Sequence, residues 1–332
     1  MRLTAVRVWS VASCFVLWAL LAACAGDGNG DPNGDGPGSF GEPTTIEGVS
    51  TIDAFPLQIS RSDAKTLTVD GPPERIVSLS PGATETLFAI GAQDAIVAVD
   101  NNADYPQAAT NFPTKVDAFE PNLESIVALD PDLVIVPNNQ GGIVEALDGL
   151  SIPVLYQDID TSITSIGDVF TQVALLGRVT GHQAEAEALL TALDLRVDAI
   201  VDGVQGLSQA TSPKIYHELD STFFTVSENS FIGDLYNTLH ARNIAGDGGG
   251  VAYPQLTQEA IIAANPDVII LADEEFGVTI ESVEARPGWD AIAAVVEGRI
   301  VGIDPDIVSR SGPRIVDALE LLAKAIYPTR FN

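Results

Sequence analysis

The stretch Asn122–Val136, NLESIVALDPDLVIV, returns at Leu256–Leu271 as LTQEAIIAANPDVIIL. The copies share Glu124/Glu259, Ile126/Ile261, Ala128/Ala263, Pro131/Pro266 and Asp132/Asp267. A spacing of 135 residues from Glu to Glu is too long for a solenoid and fits one copy in each of two domains. Each copy predicts a short helix, a break at Pro and a buried apolar strand. In the first copy these are Leu123 to Leu129, Pro131 and Leu133 to Val136. Asn122 and Thr257 stand two positions before the glutamates, so each Glu falls in the first helical turn behind a capping residue. A carboxylate there complements the positive helix end, which is reason enough for its presence. The alternative is functional: one matched carboxylate per lobe, gripping a basic partner at two points.

Strand and helix alternate around both copies. FPLQIS and KTLTVD predict a hairpin joined by RSDA. RIVSL predicts a strand that runs through Ser80-Pro81-Gly82 into the helix ATETLFAIG, closed at Gly91. AIVAV is the next strand; IVEALDGL and PVLY add a helix and a strand after the first copy. From Ser162 to about Leu207 only helical periodicity remains, with Gly181 as a possible joint. Strands KIYHEL and FFTV, helix SFIGDLYNTLH, the second copy, strand RIVGI and helix GPRIVDALELLAKAI follow. The pattern predicts an α/β fold: two lobes of mostly parallel sheet flanked by helices, with a long helical connection between them. The expected boundaries are 46–160, 161–210 and 211–332.

The first 45 residues carry a different message. Arg2 and Arg7 precede an apolar run that is short for a membrane span and ends in Leu21-Ala22-Ala23-Cys24. This resembles a bacterial lipobox, which predicts a signal peptide over 1–23 and lipidation of Cys24. With Cys14 removed and Cys24 acylated, no thiol remains in the folded part, which excludes disulfides, zinc–thiolate sites and a Cys nucleophile. Residues 24–45 are Gly, Asp, Asn and Pro and predict a flexible tether. Within it, Asp31-x-Asn33-x-Asp35-Gly36 with Glu42 matches an EF-hand loop, but no helical sequence flanks it, and it reads as composition. The formal charge of −30 excludes nucleic acid as a partner, because phosphates would be repelled.

Enzyme signatures are missing from the sequence. SLSPGATE lacks a phosphate-binding glycine pattern, Gly246 to Gly250 lacks a preceding strand, and no G-x-S-x-G occurs. His182, His217 and His240 are too scattered for a metal cluster. His217, in the run His217-Glu218-Leu219-Asp220, could face a cleft from a strand end and is kept as a candidate.

Taken together, RIVSLSPGATETLFAIGA, DYP, NLESIVALDPDLVI, SFIGDLY, YPQLTQEAIIAANPDVII and SRSGPRIVDALELLA resemble the iron-chelate/vitamin B12 class of ABC-transporter substrate-binding proteins, over about Glu74 to Tyr327. The resemblance implies two Rossmann-like lobes bridged by one long helix, with little closure on binding. It implies that a Glu of each lobe, here Glu124 and Glu259, pairs with arginines of a membrane permease served by an ATPase. It implies a metal-chelate ligand, membrane attachment through the lipid at Cys24, no catalysis and no cofactor of the protein's own. By position in the family's motifs, Tyr253, Asp306, Arg310 and Phe119 are cleft residues; Asn102 and His217 complete the candidate set. The sequence departs from the B12-binding pattern where Pro137-Asn138 replaces a Trp and where Ala241-Arg242-Asn243 ends a Gly-Gly-Glu-Asn motif.

Chemistry narrows the ligand. A tris-catecholate complex wants several cations, and Arg310 is the main one on offer. Haem wants an axial Tyr, His or Met, which leaves Tyr253 or His217. A corrinoid or hydroxamate siderophore suits aromatic walls with a few polar anchors. The rival from another class is an extracellular two-lobed enzyme with an acidic cleft.

Overall fold

The computed structural model describes residues 55–331; the expected signal peptide, Cys24, the tether and the EF-hand-like run lie outside them. The predicted hairpin forms from β1 (Leu57–Ser60) and β2 (Thr66–Val69), paired antiparallel. Five short parallel strands then make the first sheet: β3 (Ile76–Ser78), β4 (Ile96–Asp100), β5 (Lys115–Val116), β6 (Leu133–Val136) and β7 (Val154–Tyr156). Their order is β5-β4-β3-β6-β7, so the chain switches direction across the sheet between β3 and β6. The second sheet holds β8 (Lys214–Glu218), β9 (Arg242–Asn243), β10 (Val268–Leu271) and β11 (Ile300–Gly302) in the order β11-β10-β8-β9, again all parallel. Its switch lies between β8 and β10.

Both sheets are covered on two faces, as near-continuous apolar strands require. Along β6, Leu133 and Ile135 pack with Leu87 and Leu176, while Val134 and Val136 face Ile126, Val144 and Leu147 on the other side. Along β10, Val268 and Ile270 join Leu235 and Leu319, and Ile269 and Leu271 join Ile261 and Trp289.

The repeated sequence proves to be one structural device used twice. Asn122 caps the helix Leu123–Val127 by accepting from the Ser125 N–H, and Thr257 caps Gln258–Ala264 by accepting from the Ala260 N–H. Asp130 and Asn265 then adopt left-handed backbone, with φ of 49° and 51°, a conformation that Asp and Asn tolerate better than most residues. After the Pro, the next Asp locks onto the neighbouring central strand from both sides of its peptide. The Asp132 N–H donates to the Arg75 carbonyl, while its carboxylate accepts from the Glu74 and Arg75 N–H groups at 2.7 and 2.8 Å. Asp267 does the same to Lys214, donating to its carbonyl and accepting its N–H at 2.7 Å. The basic side chains close the arrangement. Arg75 donates to the Leu129 and Asp130 carbonyls, and Lys214 to that of Ala264, at the C-terminal ends of the two helices.

The helical connection contains a long helix, Gln183–Val204, preceded by a shorter one. Ile166–Thr180 ends at Gly181, whose φ of 75° permits the cap that turns the chain into Gln183–Val204. Each helix serves both lobes: Ile166, Val169, Leu193 and Ile200 pack in the second lobe's core, Val173, Leu176, Val179 and Ala186 in the first's. The strand expected at FFTV does not form. Asp220 side-chain acceptance from the Thr222 N–H and a φ of 69° at Phe223 bend the segment into a turn, leaving one antiparallel bridge, Phe224 to Gln255. Among the described residues, no helix is long and apolar enough to cross a membrane.

Replacing Asp132 or Asp267 by Ala should cost about 1–2 kcal/mol in urea unfolding, since each carboxylate satisfies backbone N–H groups. Glu124→Ala, two residues past the cap and exposed, should change stability by less than about 0.5 kcal/mol.

Candidate functional site

The carboxyl ends of the first sheet's central strands open on a cavity of about 620 Å³. Open α/β sheets bind ligands at such switch points. Leu79 to Gly82 follow β3, Asp100 ends β4 with Asn101 and Asn102 beyond it, and Pro137 and Asn138 follow β6. The second lobe supplies Glu275 and Phe276, beyond β10, and Asp306 with Ser309 to Ser311, before the helix Ile315–Ile326. Both lobes therefore form the wall. Phe119 and Phe276, 70% and 79% exposed, offer one aromatic ring from each lobe. Phe119 is held in place by the Asp117 carboxylate, which accepts from the Phe119 and Glu120 N–H groups.

Below the cavity, a charged network fastens the lobes. Ser80 caps the helix Pro81–Ala89, and Glu85 on that helix is buried against Arg314 of the second lobe, with N–O distances of 2.6 and 3.1 Å. Arg314 also lies over the Tyr105 ring, 4.1 Å from its centre. Burial pushes the Glu85 carboxyl above its ordinary value even though Arg314 pulls it down. Beside this pair the backbones meet: a Cβ on Gly82 would stand 2.6 Å from the Ser311 carbonyl oxygen, so only glycine allows the approach. Closer to the cavity, Arg310 reaches across to both oxygens of Asp104 and to the Asn102 carbonyl, and pairs with Asp306 on its own lobe at 2.6 Å. Partial burial raises the Asp104 carboxyl, but the hydrogen bonds with Arg310 and Asp306 and the charges of Arg310 and Arg314 together outweigh it and hold the group below its ordinary range. Asp306 goes the other way: burial and its contact with Asp104 push it up to about 6.

Of the residues expected at a cleft, Asn102, Phe119, Asp306 and Arg310 do line the cavity. Tyr253, 43% exposed, lies outside that lining. His217 requires a correction. It is fully buried, with Nδ1 2.6 Å from the Tyr236 hydroxyl, and burial pushes it down to about 3, so it is a neutral core residue. Both faces of the sheet are covered, and His217 falls on the face it shares with Ile215, against Tyr236. Its neighbour Glu218 is also buried and makes a two-pronged ion pair with Arg286, at 2.6 and 2.5 Å, under Trp289. Burial and the Glu218 charge push Asp273 up to about 7. Glu124 and Glu259 sit exposed in the first turns of their helices and take no part in the cavity wall.

Sequence reasoning did not single out Glu85, Asp104, Arg314, Glu275 or Phe276. Glu85 and Arg314 lie inside motif segments already noted, and Asp104 is the acid of DYP, so a search for charge complements between those segments could have found them. Nothing in the local sequence marks Phe276.

This fold and cleft define a two-lobed solute-binding protein. The chain belongs to the periplasmic binding protein family, whose model matches residues 76–307. It is 31% identical over 324 residues, 95% of this chain and 98% of the relative, to an ABC transporter substrate-binding lipoprotein of Bacillus subtilis. It is 32% identical over 289 residues, 83% of this chain and 75% of the relative, to a cobalamin-binding protein of Halobacterium salinarum. The solved vitamin B12-binding protein of Vibrio cholerae shares the fold, with a TM-score of 0.67 at 21% identity, covering 79% of this chain and 99% of that one. The chain is thus of the class that serves ABC importers as substrate-binding component.

The raised Asp306 carboxyl makes a directional prediction. A carboxyl moved from 3.8 to about 6 on folding favours the protonated form, so its contribution is fully present below 3.8 and is lost as pH rises through about 6. In thermal melts, Asp306→Asn, a permanently neutral mimic, should gain on the parent as pH climbs from about 4 to about 7. The reverse slope would show that Arg310 holds Asp306 ionised.

Proposed function

We propose that this protein captures a bulky metal chelate, a corrinoid or a ferric siderophore, between its lobes and delivers it to a membrane permease and its ATPase. In this reading Cys24 carries the lipid that tethers the protein on the outer face of the membrane, and the protein catalyses no reaction. The observation that carries the reading is the cavity built by both lobes at the carboxyl ends of their strands, with Phe119 and Phe276 as aromatic walls. Its volume is on the scale of ligand clefts, and aromatic walls with a few polar groups suit a broad, mostly apolar chelate. Asn138 supplies one such polar group, since its buried side-chain oxygen has no partner in the protein and can accept from a ligand amide. The cobalamin-binding relative supports the corrinoid choice. Haem fits less well, because no Tyr, His or Met is among the described residues lining the cavity.

Glu124 and Glu259 are the docking residues in this proposal. Identical helix–Pro–strand devices present them, one from each lobe, exposed and apart from the ligand cavity. Two equivalent carboxylates on a rigid frame suit two arginines of a permease.

Purified protein incubated with cyanocobalamin or a ferric hydroxamate should keep a visible chromophore after desalting; no retained chromophore across such a panel would refute capture. In vesicles carrying the permease and ATPase, the double variant Glu124→Arg, Glu259→Arg should abolish uptake while chelate affinity stays within about twofold. Loss of chelate binding in that variant would instead remove the docking assignment.

A further inference from the structure

The guanidinium that ought to receive an anionic ligand is already occupied. Arg310 places both terminal nitrogens on Asp104, one of them also on Asp306 and on the Asn102 carbonyl, and Glu85 stands 3.7 Å away. Its side chain is only 12% exposed. Among the described residues lining the cavity, Asp100, Asp104, Glu275 and Asp306 face this single arginine, and no lysine joins it. We propose that Asp104 sets the charge class of the ligand. By holding Arg310 across the cleft, it makes the site accept neutral or cationic chelates and turn away anionic ones.

Several constraints single out Asp104 among the acids. Asp306 precedes Arg310 by four residues on the same lobe, so their pairing is local and leaves the fork free to face the cavity. Asp104 comes from the opposite lobe, takes both prongs, and so fixes where the fork points. A ligand carboxylate could reach Arg310 only by expelling the Asp104 carboxylate, which would then stand unpaired in a partly desolvated site. The ligand would also meet the Asp100 and Glu275 carboxylates, which no cation in the lining pairs with, at short range, where salt screens poorly. The Asp100 carboxylate is itself fixed, accepting from the Asn102 and Ala118 N–H groups, and cannot turn away. Rejection by unpaired charge is an effective route to specificity. Neutral ligands that carry amide N–H donors, or cationic ones, would meet acceptors instead.

This inference rests on the ligand-capture reading, and the test separates the two. The full chain, Asp104→Asn, Asp104→Ser and Asp306→Asn would be titrated with three coloured probes of different charge, followed by absorbance. The probes are cyanocobalamin, which is neutral at its corrin side chains, ferrioxamine B, which carries an ammonium, and haemin, which carries two carboxylates. The unmodified protein should prefer cyanocobalamin or ferrioxamine B over haemin by about 100-fold or more. Either Asp104 variant should raise haemin affinity about tenfold and so narrow the preference over haemin; Asp306→Asn should gain less, because Asp104 still holds the arginine. Unchanged haemin affinity in folded Asp104 variants that keep the preferred probe would overturn the role of Asp104 and leave capture standing. A preference of the unmodified protein for haemin would overturn the charge assignment. Failure to bind any of the three would overturn capture, and this inference with it.

Discussion

A buried ion pair joins the two lobes beside the cleft. Glu85 has almost no exposure, and an unpaired carboxylate there would be costly. Arg314 meets both its oxygens from the other lobe and is itself seated on Tyr105. Next to the pair, Gly82 lets one helix start touch the Ser311 backbone. These contacts form the floor, and the strand ends stand apart above it around the cavity. Two helices, each packed into both cores, oppose any further swing.

Much of this order was legible because it is local. The Asn-x-Glu and Thr-x-Glu starts, the left-handed Asp or Asn before Pro, and the β-branched strands each follow from short-range chemistry. The doubled stretch became legible as two lobes for the same reason. What it could not reveal was why Asp132 and Asp267 follow the Pro. Their partners, Arg75 and Lys214, lie more than fifty residues back and meet them only when the central strands pair.

The site was less legible, and its failures share a cause. His217 looked like a strand-end ligand, but both faces of its sheet are covered and it packs inside against Tyr236. FFTV has strand composition, yet the Asp220 turn overrides it. Arg310 lines the cavity as expected, but its partner Asp104 lies more than two hundred residues away and could not be read from the sequence. Phe276 gains its place from the second sheet's loop geometry alone. Composition and spacing report which groups are present; only the packing of two lobes decides which of them are already satisfied.

The central claim is that one ligand touches both lobes at once. Hydrogen–deuterium exchange of the full chain with and without bound cyanocobalamin tests it directly. The account predicts slowed exchange in 79–82 and 100–104 of the first lobe together with 306–311 of the second. Protection confined to one lobe, with ligand bound, would contradict it.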